Sequence, residues 1–153
     1  MSLTLARRAL ALSLAAVATA TLVACGGSTA EKAPAGGAPA GGTATTVKAT
    51  LTEFSIALAP ATVKAGQVKF DATNGGALAH ELIAVKSDLA SDKLPVKDGV
   101  VEMSGLKSSG TIAQFDAGKS ASGTFNLEAG KYIVFCNIAG HYQGGMHTTL
   151  TVN

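Results

Sequence analysis

The run Tyr132-Ile133-Val134-Phe135-Cys136-Asn137-Ile138-Ala139-Gly140-His141-Tyr142-Gln143-Gly144-Gly145-Met146 carries a thiol, an imidazole and a thioether, each five positions after the last. Soft sulfur ligands joined to an imidazole suit copper and disfavour magnesium, calcium or manganese. A trigonal copper site of this kind takes a second histidine, and His80 is the histidine far from the run. The residue types therefore nominate His80, Cys136 and His141 as ligands of one mononuclear copper ion, with Met146 as a weak axial ligand. Taken singly, His80 reads as a satisfied structural histidine and Met146 as core filler. Only their combination with Cys136 and His141 points to a metal. His147 directly follows Met146, and strand alternation aims it to the opposite side, as a surface histidine.

These groups need elements that hold them. Tyr132 to Cys136 reads as a buried strand delivering the thiol at its end, and the glycines at 140, 144 and 145 let the backbone turn tightly enough for His141 and Met146 to face back toward it. Upstream, from Thr46 onward, short alternating runs are punctuated by Gly, Pro, Asn and Asp, the texture of a β-sandwich or barrel. Val47, Ala49 and Leu51 alternate with polar residues, and Phe54, Ile56 and Leu58 extend the period with a bend expected at Pro60. Further strands are predicted at 67–73, 80–86, 110–115, 120–127, 131–136 and 146–152, separated by glycine-bearing turns. Between 87 and 109 the pattern breaks. Ser87 is predicted to cap a short helix through Ala90, and Asp98-Gly99 to turn a small hairpin, as an excursion between sandwich strands.

The N-terminus has a different character. Arg7 and Arg8 precede an apolar run from Ala9 to Val23, too short to span a bilayer comfortably, which describes an export signal. Its end, Leu22-Val23-Ala24-Cys25, resembles the lipobox of bacterial lipoproteins. That resemblance implies a signal over 1–24, cleavage before Cys25 and lipidation of its thiol, where a plain reading has an incidental cysteine in a conventional signal. The arginine pair matches a twin-arginine signal poorly, so no export route follows. After Cys25, residues up to 45 form a tract of Ala, Gly, Pro and Thr with almost no large side chains, and 25–45 reads as the lipidated Cys and a flexible tether spanning roughly 25 Å. The domain then occupies 46–153, extracytoplasmic and lipid-anchored to a bacterial membrane.

With Cys25 in lipid, Cys136 is the domain's only thiol, unable to form an internal disulfide and in need of another occupation in an oxidising compartment. The chain has twelve Lys plus Arg and ten Asp plus Glu; without Arg7 and Arg8 the signs balance, which argues against nucleic acid as a partner.

The segment Phe135-Cys136-Asn137-x-x-Gly140-His141-Tyr142-x-x-Gly145-Met146 resembles the Cys-x4-His-x4-Met ligand loop of the cupredoxins, in the version seen in auracyanin, rusticyanin and sulfocyanin-like members. Asn74-Gly75-Gly76-Ala77-Leu78-Ala79-His80-Glu81-Leu82 resembles the segment that brings their first histidine. The resemblance implies an all-β, Greek-key sandwich of about seven to eight strands. It also implies a type 1 copper electron carrier, monomeric, meeting a redox donor and acceptor transiently. By the same resemblance His141 provides the electron exit and, with Tyr142, an apolar docking patch. Glu81 stands where many members have an asparagine that ties the ligand loops together, and Ala79 where some have a glycine. Asn137 is placed to aim its backbone N–H at the thiolate. A copper chaperone or buffer is the alternative function, and an enzyme is not expected, since three histidines are too few for the multicopper enzymes of this family.

Overall fold

The computed structural model of the protein describes residues 43–153. The expected signal, Cys25 and most of the tether lie outside the described residues. Strands β1 (Thr45–Thr52), β2 (Ser55–Ala59), β4 (Gly66–Asn74) and β9 (Ser120–Leu127) form a four-stranded sheet in the order β2-β1-β4-β9. Facing it is a five-stranded sheet, β3-β11-β10-β5-β8, of β3 (Thr62–Val63), β5 (His80–Lys86), β8 (Ser108–Phe115), β10 (Gly130–Phe135) and β11 (His147–Val152). The parallel pairs β1 with β4 and β3 with β11 arise because the chain crosses between sheets, as a Greek key requires.

Alternation accounts for the first sheet. Val47, Ala49 and Leu51 of β1 and Val68, Phe70 and Ala72 of β4 point inward and are almost fully buried, while Lys48 and Thr50 face solvent. The expected continuation through Phe54 is instead a hairpin: Thr52 pairs with Ser55, Glu53-Phe54 makes the turn, and Phe54 is half exposed. The bend expected at Pro60 is present, and there the chain leaves β2 for the other sheet.

The centre of the second sheet, β5 and β10, is buried on both faces, which explains why β10 reads as an unbroken apolar run rather than an alternating one. Tyr132, Val134 and Cys136 enter the main core between the sheets. Ile133 and Phe135 enter a second core with Ile83, Val85, Leu94, Val101 and Tyr142. The segment between β5 and β8 supplies the cover for that outer face. Its short hairpin, β6 (Val96–Lys97) and β7 (Val100–Val101), turns at Asp98-Gly99 as expected, with φ of 53° and 84° there. The helix expected from Ser87 is absent. Ser87 Oγ accepts the Leu89 N–H at 3.3 Å, Lys93 N–H closes a turn on Ala90 O, and the Lys131 ammonium holds Leu89 O at 2.6 Å, so the segment is a pair of pinned turns.

Candidate metal centre

The centre lies where β5 begins and β10 ends, on neighbouring antiparallel strands. β10 delivers Cys136, whose N–H donates to Met146 O at 3.1 Å, continuing the β10–β11 register in which Phe135 opposes His147. Cys136 and Met146 are thus cross-strand neighbours on the main-core face, and both are fully buried. Between them the chain makes one helical turn, α1 (His141–Gly144), where the sequence suggested only a loop. Left-handed Gly140 (φ 81°) opens it and left-handed Gly145 (φ 119°) closes it, conformations that favour glycine. The turn swings His141 back over the thiol, and Met146 N–H donates to His141 O at 3.0 Å.

His80 arrives from a loop pinned by two side chains, Asn74 and Glu53. The Asn74 side chain, fully buried, accepts the Gly76 N–H at 2.9 Å and donates to Leu78 O at 2.7 Å. From outside, the Glu53 carboxylate accepts the N–H groups of Ala77 and Leu78 at 2.9 and 2.7 Å. The result brings Nδ1 of His80 to 3.3 Å from Nδ1 of His141, which is 3.6 Å from Cys136 Sγ. These ligand atoms of three buried residues lie within 4.8 Å of one another.

Two nitrogens at ~2.05 Å and a sulfur at ~2.3 Å from one ion, at near-tetrahedral angles, stand about 3.3 Å and 3.6 Å apart. The observed separations match, and the donor set of two imidazoles and a thiolate, with a thioether opposite the thiolate's strand, is that of a single type 1 copper ion. Burial pushes the Cys136 thiol pKa up, opposed by the N–H groups of Glu81 and Ile138. Burial, and then the neighbouring His141, pushes the His80 imidazole pKa down. The His80 imidazole is thereby kept ready to ligate, and loading displaces the thiol proton.

Several surrounding roles differ from the expectation. The Asn137 N–H does not reach the thiolate: it donates to Glu81 Oε1 at 3.1 Å, because Glu81, the second residue of the adjacent strand β5, leans across. The N–H of Glu81 instead points at Sγ, at 3.5 Å. Glu81 thereby ties the two ligand segments together, the part expected of the missing asparagine. The Asn137 side chain bridges elsewhere, accepting from Val101 N–H at 2.5 Å and donating to Val101 O at 3.1 Å, while Gly140 N–H donates to Gly99 O. The excursion hairpin is therefore bonded to the ligand loop.

Tyr142 is not on a docking surface. It is 3% exposed, its ring meets Phe135 edge-on, and its hydroxyl donates to Ser91 O at 2.7 Å and accepts from Leu94 N–H at 2.8 Å. His147 does face away from the main core, as alternation demands. It is half-buried against Tyr142 rather than free at the surface, with Nδ1 3.1 Å from Ser91 Oγ. The exposed apolar side chains at this end are Phe54, whose ring stands edge to face with His141 at a centroid separation of 5.8 Å, and Leu78, on the loop before His80. Phe54 was expected only as an apolar position of a strand and Glu53 was not singled out. Both sit in a two-residue turn, and only the register of β1 with β2 carries them to the site.

Residues 51–153 match the sulfocyanin (SoxE) domain family. Among solved structures, the chain is similar to auracyanin from Roseiflexus castenholzii (21% identity over 73% of this chain and 99% of that one, TM-score 0.53). It is similar to auracyanin B (25% identity, 72% and 89% covered, TM-score 0.52) and to reduced rusticyanin (18% identity, 73% and 82% covered, TM-score 0.51). No curated protein sequence matches significantly.

Proposed function

Since the chain belongs to the sulfocyanin domain family, a branch of the cupredoxins, we propose that it is a one-electron carrier working between Cu(II) and Cu(I), held at the outer face of a bacterial membrane by a lipid on Cys25. The observation that carries the reading is the buried convergence of His80, Cys136 and His141, whose ligand atoms lie within 4.8 Å of one another, with Met146 held opposite Cys136 by the cross-strand hydrogen bond. Copper bound there supplies the electron-transfer chemistry. The chain's part is to keep the ligands from rearranging. His80 and Cys136 sit at ends of paired strands, Glu81 bonds one segment to the other, and the α1 turn is closed by backbone hydrogen bonds.

The low exposure of the centre keeps water out, and His141, at 7% exposed, is the ligand nearest the surface among the two buried histidines. Phe54 and Leu78 form an exposed apolar rim at that end, which suits brief encounters with a redox donor and acceptor. The tether of the sequence reading would let the domain turn toward either partner.

The test is the visible absorption and electron paramagnetic resonance spectrum of the Cu(II)-loaded protein beside Cys136→Ser. An intense thiolate charge-transfer band with narrow copper hyperfine splitting, lost in the variant, is the expected result. A weak, ordinary copper spectrum in both would remove electron transfer and leave copper handling as the function.

A further inference from the structure

His80 Nε2 is a fully buried polar atom without a well-formed hydrogen bond. Among the described residues, the group that reaches it is the Glu53 carboxylate, with Oε1 3.2 Å away but off the line of the N–H. The carboxylate is not free to swing. Oε1 and Oε2 accept the Ala77 N–H at 2.9 and 3.1 Å, and Oε1 also accepts the Leu78 N–H at 2.7 Å. It lies in space that a side chain at position 76 would fill: a Cβ on Gly76 would overlap both its oxygens. Backbone donors, an absent side chain and a buried orphan nitrogen therefore converge on one carboxylate.

We propose that Glu53 is a positioning residue for the copper centre, fixing the Nε2–H tautomer of His80 so that Nδ1 faces Cys136 and His141 unprotonated, and placing a negative charge behind that ligand. Ligating histidines generally hand their second N–H to a fixed acceptor, which sets the tautomer and raises ligand basicity. Here the acceptor comes from a turn remote in sequence, between β1 and β2, rather than from either ligand segment. The negative charge favours the more positive oxidised metal, so Glu53 lowers the reduction potential.

The potential half of this inference rests on the electron-transfer reading; the tautomer half does not. The first measurement is therefore made on the metal-free full chain, by 15N NMR of the His80 imidazole, in wild type, Glu53→Gln and Gly76→Ala. Gly76→Ala displaces the carboxylate without removing its charge. Wild type should show a single Nε2–H tautomer and both variants a mixture. The second is a redox titration of the copper-loaded wild type and Glu53→Gln. The variant should keep its charge-transfer band and shift the preference of the site toward Cu(I) by about tenfold, a midpoint about 59 mV higher. A folded Glu53→Gln and Gly76→Ala pair with the wild-type tautomer would overturn the proposal. So would a Glu53→Gln midpoint moved by less than about twofold in that preference. A wild type lacking the band would remove the electron-transfer reading and the potential effect with it, while the tautomer would still decide whether Glu53 positions His80.

Discussion

Replacing Tyr142 by Phe removes one oxygen atom and leaves the ring, its packing on Phe135 and the helical turn in place. What it takes away is a two-way clasp: the hydroxyl donates to Ser91 O and accepts from Leu94 N–H. Leu94 is 4% exposed and its N–H has no water to turn to, so it bears a full unsatisfied-donor cost of about 1–3 kcal/mol. Ser91 is half-buried, and its carbonyl recovers part of its loss from solvent. The net expectation is a destabilisation of about 2–3 kcal/mol. For a domain of this size that is a fall in Tm of about 8–15 °C. The assay is thermal and urea unfolding of the metal-free protein, with the Cu(II) spectrum recorded in parallel. The spectrum should not change, because the hydroxyl points away from the ligands. A loss below about 0.5 kcal/mol would refute the clasp. Full stability with slowed electron exchange would return Tyr142 to the docking surface from which its burial removes it.

Asn137→Ala should cost about 1–3 kcal/mol, since the Val101 N–H is left buried without its acceptor, and amide exchange at Val101 should quicken by more than that at Ile133. Gly110→Ala drives a methyl into the Phe125 ring at the main core, and equilibrium unfolding should show a loss of about 1–3 kcal/mol with the ligand end spectroscopically unchanged. In the metal-free protein, the lowered pKa of His80 means that the unfolded chain binds its proton first. Its contribution to stability is therefore fully present above the ordinary imidazole value of 6.5 and lost as pH falls from there through the folded pKa. Urea titrations of the metal-free protein at a series of pH values should show that decline, and His80→Gln should flatten it.

Residue type and spacing were enough to nominate the ligands because the chemistry of a copper site is concentrated in one loop and needs side chains that few other roles would assemble. The strands that carry them were legible for a similar reason. Alternation marks β1 and β4, and the unbroken apolar run of β10 reports its two buried faces. What surrounds the ligands was not legible, because it depends on register. Glu53 and Phe54 reach the two histidines only after Thr52 pairs with Ser55. The Asn137 N–H goes to Glu81 rather than to sulfur because β5 and β10 are neighbours with a particular offset, which no local pattern encodes. The segment after β5 misled for a third reason. Ser87 has the chemistry of a helix cap, but Leu89 O and Ser91 O are claimed by Lys131 and Tyr142, and tertiary contacts outbid a weak local preference.

From Tyr132 onward strand β10 has no solvent side, and the turn it leads into is bounded by left-handed glycines at 140 and 145. The anchor of the thiol and the geometry of the loop are therefore separable parts. The loop behaves as a cassette: its length and its intervening residues set how the second imidazole and the thioether approach, while the double-packed strand keeps their common origin fixed. Rebuilding 137–145 with loops of other lengths should retune the centre without unseating the sandwich, provided that the Val101 bond of residue 137 is retained.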